Sequence, residues 1–94
     1  MQFLVVAHDG TDAEARQRRR AVREAHLEGA RRMAADGSMI CGGALLDDDG
    51  DMVGSACVVE FADRAALDAW LESDPYVTGG VWRRIEITPF RRAV

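Results

Sequence analysis

The sequence has no lysine: all 12 basic residues are arginine. Against 16 acidic residues they leave a net charge of −4, so the basic excess of a nucleic-acid surface is missing. All-arginine usage reads as genome composition, although the guanidinium is also the better fork for a carboxylate. Cysteine is scarce. Cys41 and Cys57 are the only two, and they show no paired metal-ligand spacing. They are expected to be small buried thiols in a reducing cytoplasm. No apolar run approaches a membrane span, and no basic n-region precedes an apolar h-region at the N-terminus. The expectation is a cytoplasmic protein with no membrane and no nucleic-acid partner. There is no phosphate loop, dinucleotide fingerprint or Gly-x-Ser-x-Gly elbow. Asp47 to Asp51 is acidic but lacks the spacing of a calcium loop and its distal bidentate Glu. His8 and His26 could be assembled into a metal site with nearby carboxylates, but that is the minor reading. No metal and no cofactor are expected.

What is present is ordinary for one globular domain spanning residues 1–94. The composition is 48% hydrophobic and 30% charged. Residues 2–8 form a short apolar run ended by Asp9-Gly10, a strand with both faces apolar. Thr11-Asp12-Ala13-Glu14 fits a capping box, so a helix is expected from about residue 12 to Ala35, stopped at Asp36-Gly37. Residues 38–46 and 52–61 read as strands joined by a polar hairpin turn at residues 47–51. Asp63 caps a second helix over 64–72. Asp74-Pro75 opens a short further turn, with Asp as N-cap and Pro first, and Gly79-Gly80 ends it. Residues 81–88 form the last strand, with Val81, Arg83, Ile85 and Ile87 alternating against Trp82, Arg84, Glu86 and Thr88. The order βαββαβ is the ferredoxin-like arrangement, an α+β fold with two helices on one face of an antiparallel sheet.

Two helices cover only one face of such a sheet, yet strands one and three carry apolar residues on both. An uncovered apolar face calls for a partner, and the simplest is a second copy packed sheet on sheet across a two-fold axis. A mildly apolar, solvated face is the rival explanation. The arginines at 16, 18, 19 and 20 are interleaved with acidic residues and read as a solvated helix face, with an anion-attracting rim as the alternative; Arg23 or Arg19 could hold an anionic substrate oxygen.

At about 100° per residue, Ala15, Val22, His26, Gly29 and Met33 share one stripe of the long helix, with Arg19 and Arg23 at its flank. His26 therefore faces the sheet. A lone histidine on an apolar face is more often a satisfied core residue than a ligand-facing one. Gly29 allows close approach to the sheet or leaves room beside the imidazole. Asp74 has a complete task as an N-cap, but its second oxygen is available to an imidazole. Ser55 is either a pocket hydroxyl or a partnered core serine, and Tyr76 either a pocket-mouth phenol or a packed ring. Gly42-Gly43 suggests a bulge or close backbone approach, and His8 and Asp9 form either a strand-end turn or a second wall of the pocket.

These residues, taken in order, resemble the YciI-like (YCII-related) family along nearly the whole chain. The matching pieces are the first strand ending at Asp9, Arg23-x-x-His26-Leu27 and the Gly42/Leu45 strand. They continue with Asp49-Gly50, Gly54-Ser55, Asp74-Pro75-Tyr76, Gly80-Val81 and Pro89-Phe90. The resemblance implies a dimeric α+β barrel of ferredoxin-like protomers, a homodimer through the sheet face. It also implies a pocket whose catalytic pair is His26 and Asp74; Arg23, Ser55, Tyr76 and Gly43 are the candidate substrate-binding residues around that pair. The chemistry it implies is cofactor-free proton transfer on a small, anionic or aromatic molecule, of the lyase, isomerase or dehydrochlorinase kind. One departure stands out: many relatives read Gly-Pro where this chain has Gly42-Gly43, which implies a more flexible pocket wall. A non-catalytic ligand-binding or regulatory domain with the same pocket is the alternative. A cofactor-free oxygenase is a third reading, on fold analogy alone.

Overall fold

A computed structural model describes residues 1–94. The elements run β1 (Gln2–Asp9), α1 (Ala15–Asp36), β2 (Met39–Leu46), β3 (Met52–Glu60), α2 (Arg64–Ser73), α3 (Pro75–Thr78) and β4 (Trp82–Phe90). All strand pairs are antiparallel, in the spatial order β2-β3-β1-β4. This is the ferredoxin-like fold expected from the element order, with α3 as one added turn.

Local chemistry sets most boundaries. The α2 N-terminus is capped by Asp63, whose side chain accepts from the Ala66 amide at 2.9 Å. Gly37 ends α1 at φ 90°, a left-handed conformation that glycine adopts without a Cβ penalty. The other end of α1 differs from expectation. The helix starts at Ala15, and Glu14 at its N-cap makes no side-chain cap bond. The capping box does not form. Asp12 instead takes a bidentate contact from Arg18, and that ion pair holds its carboxyl well below the usual range.

Phe3, Val5 and Ala7 of β1 are buried, as are Ser55, Cys57 and Val59 of β3. Together they form the sheet face under the helices. Leu67 and Leu71 of α2 pack there, with Tyr76, Val81 and Trp82 completing the core. On the other face the register aligns Leu4 with Val58, Val6 with Ala56, and Gly43 with Ala56. No element of the chain covers that side.

Two irregularities position the site. Between His8 and Asp9 the pairing with β4 shifts, so that His8 faces Arg84 while Asp9 faces Trp82. Arg83 is the extra residue of this bulge. It turns Trp82 to the helix side, where it is 6% exposed; simple alternation had grouped Trp82 with Arg84, Glu86 and Thr88 on the opposite face. The second irregularity lies in β2, between Met39 and Cys41. The bulge is thus at Ile40, and Gly42-Gly43 pairs regularly. Close approach is a property of Gly42 alone: a Cβ there would lie 3.3 Å from Cys57 Cβ, while one at Gly43 would meet nothing within 4 Å. Cys57 is buried, but Cys41 is exposed on the edge strand, contrary to the expectation of two buried thiols.

Candidate functional site

A cavity of about 450 Å³ opens between α1 and the edge strand β2. Arg19, Arg23 and His26 of α1 form one wall, Gly42 and Gly43 the other, with Ser55 and Cys57 on the floor. Tyr76 and Trp82 close the inner end. All six residues expected at the site from sequence have a place in this region. His26, Arg23, Ser55, Tyr76 and Gly43 line the cavity, and Asp74 stands directly behind the imidazole.

Asp74 is 6% exposed and sits at the junction of α2 and α3. Its backbone amide closes α2 onto Leu71, and its side chain caps α3 by accepting from the Tyr76 amide at 2.8 Å. The carboxylate also meets His26 Nδ1, at 2.8 Å from Oδ1 and 3.1 Å from Oδ2. The cap and the imidazole contact coexist, but not with one oxygen each: Oδ1 accepts from the Tyr76 amide and is also the oxygen nearer His26 Nδ1, while Oδ2 stands at 3.1 Å. A carboxylate only accepts, so Nδ1 is the donor in this contact, and in the neutral ring Nε2 is then the nitrogen with the lone pair.

The imidazole is held on two further sides. Its ring stacks on Tyr76, with centroids 3.8 Å apart and planes 11° from parallel. Trp82 meets it edge-on at 5.6 Å. Tyr76 is 1% exposed, so it is a packed ring rather than a pocket-mouth phenol, and burial pushes its hydroxyl pKa up. Burial, with a smaller contribution from the Asp74 charge, pushes the Cys57 thiol up to about 12. Cys57 is therefore an inert wall residue at neutral pH.

Arg19 departs from the expected solvated arginine face. It is 5% exposed and crosses under α1 to the end of β1. Nη1 donates to both Asp9 oxygens at 2.9 Å, and Nη2 donates to Ser55 Oγ at 3.0 Å. The guanidinium lies 4.7 Å from the Tyr76 ring centroid, a cation–π geometry. Its Nε is buried without a hydrogen-bond partner. Trp82 Nε1 also donates to Ser55 Oγ, at 3.1 Å. Trp82 is the residue that sequence reasoning missed; it offers Asp9 only as an alternative pocket wall and Arg19 only as an alternative to Arg23 for a substrate oxygen, not as a buried pair that fixes Ser55. Helix phasing carried a trace of Arg19, since Ala15, Arg19, Val22 and His26 follow the 4-3-4 spacing of one helix face. Gly29 proves unrelated to the cavity: a Cβ there would meet only the Arg32 guanidinium, at 3.9 Å.

Charge is unevenly compensated. Arg19 is neutralised by Asp9 and Arg31 by Glu24. Arg23 makes no salt bridge to any carboxylate of the chain and leaves a free cation on the cavity wall. The acidic group Asp47, Asp49 and Asp51 lies in the β2–β3 turn, where Arg16 reaches Asp51 at 2.8 Å. No helix is long and apolar enough to cross a membrane.

Comparison with known proteins agrees with this architecture. "Protein YciI" of Escherichia coli O6:H1 is 29% identical over 98 residues, covering 98% of both chains. The structure of 5-chloro-2-hydroxyhydroquinone dehydrochlorinase from Burkholderia phenoliruptrix AC1100, in complex with 2,5-dihydroxybenzoquinone, superposes with a TM-score of 0.85. It is 24% identical, covering 99% of this chain and 96% of that one. A dimeric ferredoxin-like protein of unknown function from Jannaschia sp. CCS1 gives a TM-score of 0.54 at 17% identity, covering 97% and 98%. At these identities the two structures speak for the fold. The model of the YCII-related domain matches residues 1–91, and the chain belongs to that family.

Proposed function

We propose that the protein is a cofactor-free proton-transfer enzyme, a lyase or isomerase of the dehydrochlorinase kind, acting on a small planar acid in the α1–β2 cavity. His26 is the general base and Asp74 orients it. The observation that carries this reading is the polarity of their contact: Asp74 engages Nδ1, which leaves Nε2 as the ring's basic atom on a residue lining the cavity. Stacking on Tyr76 and the edge of Trp82 restrict the ring to one orientation, so little reorganisation precedes proton transfer. Arg23 holds an anionic oxygen of the substrate. Ser55, Tyr76 and Gly43 shape the wall. The dehydrochlorinase that shares the fold supports the choice of substrate class, a hydroxylated aromatic or quinonoid ring.

The reaction begins when Nε2 takes a proton from an O–H or C–H acid. The bonding pair stays on the substrate and is delocalised through its conjugated oxygen. The pair then expels a leaving group such as chloride, or the proton returns at another position. Both routes balance without an oxidant. The assembled form is a homodimer, with the uncovered faces of two sheets packed on each other to complete an α+β barrel.

Chloride release from 5-chloro-2-hydroxyhydroquinone, together with binding of 2,5-dihydroxybenzoquinone, tests the proposal. The wild type is expected to do both. His26→Ala is expected to lose at least about 100-fold in turnover, the usual share of a general base, while still binding the quinone. Quinone binding without turnover of any chlorinated hydroxyhydroquinone by the wild type would favour the non-catalytic ligand-binding reading.

A further inference from the structure

Ser55 is buried, 8% exposed, and lines the cavity floor. Its hydroxyl has an unusual set of neighbours. Arg19 Nη2 at 3.0 Å and Trp82 Nε1 at 3.1 Å both donate to Oγ. Neither can accept a hydrogen bond, because an indole N–H and a guanidinium are donors only. A hydroxyl has two lone pairs and one hydrogen. The protein therefore occupies the accepting capacity of Oγ and offers no acceptor for its hydrogen. Leaving a buried donor unmatched is costly, and the open side is the cavity.

From this arrangement we propose that Ser55 is a dedicated hydrogen-bond donor to the substrate, which must present a carbonyl or enolate oxygen there. The inference rests on the reading of this cavity as the proton-transfer site and narrows its substrate class. The guanidinium, itself fixed by both Asp9 oxygens, polarises the hydroxyl and strengthens it as a donor. Asp9, Arg19 and Trp82 are positioning residues. The cavity's polar side chains then form a defined pattern: an acceptor at His26 Nε2, a neutral donor at Ser55 and a cationic donor at Arg23. The complementary ligand has one acidic hydrogen and at least two acceptor oxygens on a flat frame. As Nε2 withdraws the proton, the electron pair left behind moves onto the conjugated oxygen, and the Ser55 hydrogen bond shortens against the growing charge.

A matched pair of probes separates this role from a structural one. 4′-Hydroxyacetophenone and 4-ethylphenol share a skeleton and differ in a carbonyl. The wild type is expected to bind the ketone roughly tenfold more tightly, the scale of one hydrogen bond. Ser55→Ala is expected to reduce the ratio to about twofold or less. Because Ser55→Ala also removes an acceptor from two buried donors and could fail to fold, Ser55→Cys serves as the second variant. Its thiol fills similar space but donates weakly, and the same collapse of the ratio is expected. A ratio that survives in the variant, with both affinities falling together, overturns the proposal and makes Ser55 purely structural. A wild-type ratio near one overturns it too. If neither probe binds while 2,5-dihydroxybenzoquinone does, the carbonyl-donor proposal fails and the cavity reading stands. If none of the three binds, the cavity reading itself fails.

Discussion

His26, Asp74 and Arg19 carry most of the site, and they were not equally readable. The phase of α1 placed His26 toward the sheet, and Asp74-Pro75 marked a cap whose carboxylate has a second oxygen to offer. Both inferences need only local rules. Arg19 was obscured by its neighbours, because an arginine run interleaved with acids has the composition of a solvated face. Its burial depends on Asp9, ten residues away on another element, and on Ser55 in a third. No local pattern encodes such a three-element contact. The buried pair gives a clear expectation: Arg19→Ala should cost about 3–5 kcal/mol in denaturant unfolding, because it strands the Asp9 carboxylate. A cost below about 1 kcal/mol would mean that Asp9 finds water. The cysteines give another. Cys41 should react with a thiol reagent in the native protein at neutral pH, and Cys57 should not. The raised Cys57 pKa also sets a pH dependence. Above its ordinary value of 9.0 the unfolded thiol loses its proton while the buried one keeps it. The unfolded state then binds fewer protons, so this contribution to stability falls as pH rises from about 9 toward 12. A Cys57→Ser variant, compared over that window, should show a flatter alkaline decline.

At the scale of elements, the order and strand pairing followed from hydrophobic periodicity, but the bulges did not. Alternation fixes which side a strand residue takes only while the register is unbroken. The extra residue at Arg83 returned Trp82 to the helix side, and with it the indole that fixes Ser55. The capping box at Thr11 to Glu14 failed for a related reason. Arg18 offers Asp12 a charged, bidentate partner, and the helix begins later, at Ala15. Glycines sort the elements further. A Cβ at Gly54 would collide with the Ala7 carbonyl oxygen of the neighbouring strand. Gly54→Ala should therefore destabilise the sheet by about 1–3 kcal/mol, the range of overpacked core sites, and disturb Ser55 beside it. Gly29 lies mid-helix with open space beside it. Gly29→Ala should stabilise α1 by up to about 1 kcal/mol and leave ligand binding unchanged. Thermal unfolding of the two variants should move in opposite directions.

For the whole molecule, the decisive sequence observation was an excess of apolar strand faces over helices to cover them. The structure leaves Leu4, Val6 and Ala56 part-buried on the sheet face opposite the helices, beside the buried Val58, and a second copy of the chain is the proposed cover. A Leu4→Arg charge placed there should convert a dimeric mass in solution to a monomeric one, as read by sedimentation; a wild type already monomeric at micromolar concentration would remove the barrel. The sheet, the capped α2–α3 junction and the aromatic pair converge on one atom, His26 Nε2. Its protonation state tests the account most directly, by long-range ¹H–¹⁵N correlation of the His26 ring above its titration. The account predicts a proton on Nδ1 in the wild type, with Nε2 showing the shift of an unprotonated nitrogen. It also predicts that this preference weakens in Asp74→Asn. A ring protonated on Nε2, or one whose tautomer is indifferent to Asp74, would contradict it.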